Sequence, residues 1–339
     1  MRIHSFRERL LDWYARAKRD LPWRRNRDPY AVWISEIMLQ QTRVAATIPY
    51  YEGFLTRFPD FGSLAASAEA DLLAQWSGLG YYYRARNMQK AARRMVEAGA
   101  FPSTYETIRQ LPGVGDYTAA AIASISFSLP HAVVDGNVLR VLSRMENDAT
   151  DIGSAAGKKR FATIAGRLLD RAQPGEYNQA LMELGATICL PRNPQCLVCP
   201  ISEFCEARAR GTHNDLPVRR KARKNEAEHR TLYWIEQNGY VLAWQRSAKE
   251  TLMPGFWELP EPEQLPSAVL REKVGAFRHT ITFHDYRFTV HQAEVPENLG
   301  VCRWIEQAAA ARLPVSSIFR KAWQLVKNKE KALTAAVLR

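Results

Sequence analysis

The sequence predicts a multidomain protein in which an all-α region is followed by an α+β region. Residues 1–210 carry leucine, alanine and aromatic residues at helical spacing, interrupted by glycine and proline, as in KRFATIAGRLLDRAQPGE. Beyond residue 230 the pattern changes to β-rich runs, two of which meet at Asn238-Gly239, the dipeptide that favours a tight hairpin. A chain of 339 residues is also too long for one ordinary domain.

A polar and strongly basic stretch, HNDLPVRRKARKNEAEHR, separates the two regions. Such a composition cannot bury a core, and it is typical of a linker that can also lie along phosphates. We therefore expect a helical domain over residues 1–212, a basic linker over 213–229 and a second domain over 230–339.

The charge balance favours a polyanionic partner. Lysine and arginine outnumber aspartate and glutamate by 47 to 35, which gives a formal net charge of +12. The most apolar stretch, AAAIASISFSLPHAVV, is rich in serine and interrupted by Pro130 and His131, so no membrane partner is expected. The N-terminal residues form no apolar signal-peptide core, which predicts a cytoplasmic protein, and we expect a monomer.

Residues 105–126 predict a helix-hairpin-helix, because LPGVG separates two helical runs. Gly113 and Gly115 have no side chains, so the N–H groups of the turn can approach a phosphate, and the following helix directs its positive end the same way. Contacts of this kind position DNA without reading its sequence. A simple packing turn between two core helices is the alternative that the pattern leaves open.

Four cysteines at the spacing C-x6-C-x2-C-x5-C predict a metal centre; they are Cys189, Cys196, Cys199 and Cys205. Four thiolates select an iron–sulfur cluster or zinc. Structural zinc sites usually pair two C-x2-4-C knuckles, whereas this stretch has one knuckle and a wide first gap, so a cubane [4Fe-4S] cluster is favoured and zinc is the alternative. The odd total of five cysteines argues against structural disulfides.

Taken together, these features resemble the endonuclease III superfamily of DNA glycosylases. The hairpin LPGVG, the aspartate of VVDGNVLRVLSR and the cysteine loop occur in the expected order across residues 19–205. Within the superfamily the sequence is most similar to MutY-type adenine glycosylases, through LPWR, WISEIMLQQT, GLGYYYRARN and NQALMELG. The resemblance implies base excision repair, in which adenine opposite 8-oxoguanine or guanine is removed from duplex DNA by hydrolysis of its N-glycosidic bond.

One position of the hairpin distinguishes two neighbouring chemistries. Bifunctional members of the superfamily carry a lysine in the second hairpin helix that attacks the sugar and leads to strand cleavage. Tyr117 stands at that position, and Leu139 stands where some MutY-type enzymes have another lysine. The resemblance therefore implies a monofunctional glycosylase. A bifunctional enzyme of the endonuclease III type and a non-catalytic iron–sulfur DNA-binding protein are the alternatives.

Two carboxylates are implied as the catalytic pair. Adenine is a poor leaving group until its ring is protonated, so an acid must hold a proton near neutral pH. A lone glutamate in a helix usually faces solvent, but the family match implies that Glu36 protonates adenine and then handles the attacking water. Asp135, whose position also suits a helix N-cap, would stabilise the oxocarbenium-like sugar. Tyr117 and Asn137 are implied as assisting residues.

Excision requires the adenosine to swing out of the base stack, and the family motifs imply which side chains serve that step. Gln41 of the QQT motif and Tyr81 of the GLGY motif would fill the gap left in the duplex. The residues implied to line the adenine pocket are Trp23, Arg24, Glu36 and Gln179.

The second domain resembles the MutT-like C-terminal domain of the same enzymes, through GYVLAWQR and LMPGFWELP. The paired glutamates with which a MutT hydrolase binds magnesium are missing in REKVGAF, so hydrolysis is not expected. The family reads 8-oxoguanine through an FSH loop after RHT. This chain has ITFH there, so Thr282 and His284 are the hypothetical lesion-reading residues.

Overall fold

The computed structural model describes residues 3–220, 226–247, 249–250, 253–281, 284–295, 297–310 and 313–337. These residues form two compact units. The first contains residues 3–66 and 87–220, and the second contains residues 67–86 together with the described residues from 226 onwards. Residues 67–86 thus belong to the second unit, although they lie within the helical part of the sequence.

Between residues 3 and 209 the described secondary structure is entirely helical. In chain order the helices are α1 (Ile3–Ala17), α2 (Pro29–Leu39), α3 (Val44–Arg57), α4 (Phe61–Ala66), α5 (Glu69–Trp76), α6 (Tyr83–Ala98), α7 (Tyr105–Arg109), α8 (Asp116–Phe127), α9 (Gly136–Met145), α10 (Ala155–Leu168), α11 (Pro174–Thr187) and α12 (Glu206–Ala209). Short 3-10 turns occur at Pro22–Arg24, Cys196–Val198 and Ser202–Phe204. The all-α prediction for this region is confirmed.

Helix α8 is the centre of the first unit. Its residues 118–125 are all buried, and four of them are alanines, whose small side chains let neighbouring helices approach closely. Helices α2, α7 and α11 pack against α8, and α11 also packs against α1 and α9. The result is a core whose largest side chains include Phe6, Phe161 and Tyr177.

The predicted helix-hairpin-helix is present as α7, a tight turn and α8. Thr104 caps α7 by accepting a hydrogen bond from the Thr107 N–H. Gly113 has φ of +78°, and a Cβ there would lie 2.8 Å from Asn87 Cβ, so only glycine fits without rearrangement. A Cβ on Gly115 would meet no atom within 4 Å. The turn therefore requires glycine at position 113, whereas it has room for a side chain at position 115.

The second unit contains strands and a long C-terminal helix. These elements are β1 (Glu226–Trp234), β2 (Glu236–Gln237), β3 (Tyr240–Gln245), β4 (Trp257–Glu258), β5 (Leu270–Ile281), β6 (His284–Ala293), β7 (Arg303–Glu306) and α13 (Ser317–Val337). One sheet has the order β1-β6-β5, with β1 parallel and β5 antiparallel to β6. In the other sheet β3 pairs with β2, β4 and β7, all antiparallel. This sheet-containing architecture agrees with the α+β prediction.

The turn between β2 and β3 follows the sequence signal closely. Asn238 and Gly239 have φ of 50° and 80°, the left-handed conformations that a two-residue hairpin turn requires.

Strand β1 begins at Glu226, inside the stretch predicted as a basic linker. Within the described residues, no helix has both the length and the apolar character needed to cross a bilayer.

Candidate active site

A cavity of about 350 Å³ opens in the first unit. Its walls come from the 3-10 turn at Pro22–Arg24, from α2, α8 and α11, and from the start of α9. The predicted site residues that line it are Trp23, Arg24, Glu36, Gln41, Tyr117, Asp135, Asn137 and Gln179. The volume falls within the range of pockets that bind small ligands. Residues separated by more than 150 positions in the sequence are thus brought to one site.

Glu36 lies on α2, a helix that is buried on every face. Asp28 caps α2 by accepting a hydrogen bond from the Ala31 N–H at 2.9 Å, and Pro29 occupies the first turn. Every residue from Tyr30 to Met38 is buried, and Glu36 is only 5% exposed. This burial raises the pKa of Glu36 from 4.5 to about 7, so the carboxyl group can hold a proton at neutral pH.

Tyr117 contacts this carboxyl directly. Its hydroxyl donates to Glu36 Oε2 at 2.6 Å, and this hydrogen bond opposes the burial effect by lowering the pKa of Glu36. Burial, together with the negative charges of Glu36 and Asp135, raises the pKa of Tyr117 well above 10. The phenol therefore remains a hydrogen-bond donor in the cavity and is not a base.

Asp135 is the N-cap of α9, as its sequence position suggested, and it also faces the cavity. Its Oδ1 accepts from the Val138 N–H at 2.7 Å, and its Oδ2 accepts from Asn137 Nδ2 at 2.8 Å. Arg140 in turn donates to Asn137 Oδ1 at 2.9 Å, which fixes the amide. Burial raises the pKa of Asp135, while these hydrogen bonds lower it. Burial is the larger effect, so the pKa of Asp135 is raised overall, and the two hydrogen bonds hold both of its carboxyl oxygens in fixed positions.

One further acid that the sequence did not predict lines the same cavity. Glu183 on α11 has a completely buried side chain and accepts hydrogen bonds from Arg24 and Arg19. Although burial raises its pKa, the hydrogen bonds from Arg19 and then Arg24 bring the pKa of Glu183 down to about 2. The acid belongs to the motif NQALMELG, but nothing in the sequence links it to arginines about 160 positions earlier.

Of the other predicted residues, Gln41 and Gln179 line the cavity and Tyr81 lies in the second unit. Gln41 stands at the cavity with φ of 60°, an uncommon conformation for a residue other than glycine. Gln179 donates to the Gly175 carbonyl of its own helix. Tyr81 lies in the second unit with φ of 48° and 39% exposure, and its ring faces the Arg84 guanidinium at 5.6 Å.

The predicted lesion-reading residues are His284 and Thr282. His284 begins β6 in the second unit, where its ring stacks on Tyr286 with centroids 5.9 Å apart. Thr282 lies outside the described residues. Gly113 and Gly115 are in the hairpin turn of the first unit and do not line the cavity.

A second, smaller cavity in the first unit collects the four cysteines, Cys189, Cys196, Cys199 and Cys205, together with Arg144 and Arg208. Arg144 Nη1 donates to Cys189 Sγ at 3.3 Å and to the Leu190 carbonyl at 2.7 Å. Four thiols around one space, with a cation beside them, have the donor chemistry of an iron–sulfur centre. No group of three His, Cys, Asp or Glu within the described part of the chain is arranged to hold a single metal ion.

Family models match the two parts of the first unit. Residues 34–164 match the HhH-GPD superfamily base excision DNA repair protein, and residues 189–205 match the iron-sulfur binding domain of endonuclease III. The second match assigns an iron–sulfur cluster to the four cysteines. The first match contains Glu36, Tyr117 and Asp135, three groups of the larger cavity.

Solved structures share the fold of the first unit. A thermostable thymine-DNA glycosylase is 28% identical, with a TM-score of 0.55, and the alignment covers 61% of this chain and 97% of that one. A non-covalent endonuclease III–DNA complex aligns with a TM-score of 0.52 at 20% identity, covering 62% of this chain and 96% of that chain. The helical fold is therefore that of these glycosylases.

Curated proteins also match this chain. The human adenine DNA glycosylase is 48% identical over 219 residues, which cover 61% of this chain but only 40% of that protein. The chain thus spans less than half the length of this relative. The adenine DNA glycosylase of Buchnera aphidicola subsp. Acyrthosiphon pisum is 35% identical over 256 residues, covering 72% of this chain and 73% of that protein. With its superfamily match and its cysteine loop, the chain belongs to the MutY-type adenine DNA glycosylase family.

Proposed function

We propose that this chain is a base-excision-repair glycosylase that hydrolyses the N-glycosidic bond of adenine opposite 8-oxoguanine or guanine in duplex DNA. One observation supports this most strongly: Glu36, with its raised pKa, and the oriented carboxylate Asp135 line the same buried cavity. Two carboxyl groups with different environments are what acid-assisted cleavage of a glycosidic bond requires.

In the first step Glu36 acts as the acid. Because its pKa is about 7, a large fraction of the protein carries the proton at neutral pH. Transfer of that proton to a ring nitrogen of the extruded adenine lets the base leave with the electron pair of the glycosidic bond. Excision should therefore slow as the pH rises through about 7, since the proton donor is then lost.

In the second step Asp135 stabilises the sugar left behind. The departing base leaves an oxocarbenium-like cation, and a carboxylate already fixed by Val138 and Asn137 needs no reorganisation to face that charge. Water then attacks the anomeric carbon and gives a proton to the Glu36 carboxylate, which restores the acid. Base and abasic site are the products, and the phosphodiester backbone is intact.

The cavity also favours monofunctional chemistry. A lyase needs an unprotonated amine to form a Schiff base with the sugar. Tyr117 occupies the position of that lysine, and its hydroxyl is engaged with Glu36. Among the described residues that line the cavity there is no lysine.

We propose that duplex DNA is held by the hairpin turn and by residues that enter the base stack. The turn around Gly113 and Gly115 precedes the N-terminus of α8, where unpaired N–H groups suit a phosphate. Gln41 and Tyr81 would occupy the space of the extruded base. Both have positive φ, a costly conformation that is often retained at functional positions.

The four cysteines would hold a [4Fe-4S] cluster, the cubane form that takes four thiolate ligands. When bound, the cluster supplies a covalent tie between the end of α11 and the loop through Cys205. Arg144 contributes a cation and a donor to the Cys189 sulfur. The loop also carries Arg192, which adds positive charge for a phosphate.

The second unit would be a MutT-like domain that recognises 8-oxoguanine through residues at and just before the start of β6. Its candidates are Thr282 and His284. Replacing each with alanine and comparing excision from adenine opposite 8-oxoguanine with excision opposite guanine tests this assignment. A preference that does not change in either variant would contradict it.

Excision assays test the proposed function as a whole. The protein is incubated with duplexes pairing adenine with 8-oxoguanine, guanine or thymine, and products are resolved with and without alkali. We expect strand breaks only after alkali, and a loss of about 10²- to 10⁴-fold in E36Q and D135N with DNA binding kept. E97Q, which changes an exposed glutamate of α6, is the control. Strand breaks without alkali, or full activity in E36Q, would overturn the proposal.

A further inference from the structure

Glu183 is the most completely paired acid of the cavity. Its Oε1 accepts from the Arg19 N–H at 3.2 Å and from Arg19 Nε at 2.7 Å. Its Oε2 accepts from Arg19 Nη2 and from Arg24 Nη2, each at 2.8 Å. Arg24 also donates to the Arg19 carbonyl at 3.2 Å. One buried carboxylate thus fixes two guanidinium groups, and Arg24 is left only 12% exposed.

The cavity that contains Glu36 is also lined by five other charged or titratable groups. Two come from the segment before α2, one from α8, one from the start of α9 and one from α11; they are Arg19, Arg24, Tyr117, Asp135 and Glu183. Tyr117 is neutral, because its pKa is far above 10. With Asp135 ionised, as the proposed function requires, the two arginines and the two acids cancel, so the lining of the cavity is neutral when Glu36 carries its proton.

This balance depends on Glu183. The positive charge of Arg24 favours the ionised form of Glu36, which is the form that cannot donate a proton. A compensating anion hydrogen-bonded to Arg24 reduces that influence, and in a partly desolvated cavity such a charge acts more strongly than in water. Without the anion, the cavity would carry a net positive charge that only ionised Glu36 could neutralise.

We infer that Glu183 is a positioning residue that orients Arg24 towards the cavity and cancels its charge, so that Glu36 holds the proton needed for excision. This inference rests on the proposed function. It adds a residue that acts through Arg24 and needs no contact with the base.

The test is the pH profile of single-turnover adenine excision from an adenine:8-oxoguanine duplex. In E183Q the shape of the side chain is kept and its charge is removed. We expect the pH at which excision falls to half to move downwards by about one unit, so the rate should be about fivefold lower at pH 7, about tenfold lower at pH 8.5 and nearly unchanged at low pH. E183D keeps the charge, and its half-fall pH should stay with that of the unchanged protein.

A role in structure alone would lower the rate equally at every pH and leave the half-fall pH in place; that result in folded E183Q would overturn the inference. R24Q provides a second variant, should E183Q fail to fold. It removes the cation and leaves Glu183 negative, so the half-fall pH should move upwards, and no movement or a downward movement would refute the balance of charges. If the unchanged protein excises no adenine, the proposed function fails instead.

Discussion

Replacing Glu36 with glutamine should make the protein's stability less dependent on pH. In the folded protein the pKa of Glu36 is about 7, whereas an unburied glutamate has 4.5. Between these values the folded state keeps a proton that the unfolded chain releases, so stability falls as the pH rises across this window. A difference of about 2.5 in pKa corresponds to about 3 kcal/mol of unfolding free energy. Glutamine does not titrate, so E36Q lacks this loss.

Urea unfolding of both proteins at pH 4.5 and pH 8 measures the effect. The stability of E36Q relative to the unchanged protein should improve by about 3 kcal/mol between the two pH values. Glu258, whose pKa burial also raises to about 7, is present in both proteins and cancels. E97Q reports any effect of removing an exposed carboxylate. If the difference between E36Q and the unchanged protein is the same at both pH values, Glu36 is not a buried neutral acid, and the mechanism built on it is wrong.

Three further substitutions have defined outcomes. Y117F removes the hydrogen bond that lowers the pKa of Glu36, so the pH at which excision halves should move upwards, and an unchanged profile would argue against this contact. G113A should cost about 1–2 kcal/mol in urea unfolding and weaken DNA binding, whereas the stability of G115A should hardly change; equal effects would contradict the hairpin geometry. R144Q should lose iron faster during dialysis against a chelator, and unaltered iron retention would exclude support of the cluster by Arg144.

Much of the fold could be predicted because its signals are local. The period of apolar residues indicated helices over the first two hundred residues, and Asn238-Gly239 indicated the hairpin between β2 and β3. The sequence of residues 67–86 contains no local signal of the unit to which they belong. It is helical by pattern, yet the Tyr82 ring packs against Phe256 with centroids 4.0 Å apart and Ser77 donates to the Val315 carbonyl, so the stretch belongs to the second unit. Contacts between residues so remote in sequence do not affect the periodicity of apolar residues, so the sequence pattern does not reveal them.

The site was predictable only where a motif carried the residue. Glu36, Tyr117 and Asp135 were found through resemblance, because a glutamate in a helix or an aspartate at an N-cap has no distinctive pattern by itself. Their roles in catalysis stay predictions for the assays above. Glu183 was not predicted as a site residue, because its place in the site depends on hydrogen bonds from Arg19 and Arg24, which are remote in sequence and adjacent in space.

By itself, the sequence determined which chemical groups are available: two catalytic carboxyl candidates, a tyrosine in place of an amine, and four thiols spaced for one inorganic centre. Only the tertiary structure decided their ionisation. A carboxyl group has the same intrinsic acidity at every position of a chain, and burial and neighbouring charges then separate the pKa of Glu36, about 7, from that of Glu183, about 2. Those neighbours meet only when α2, α8 and α11 pack around one cavity.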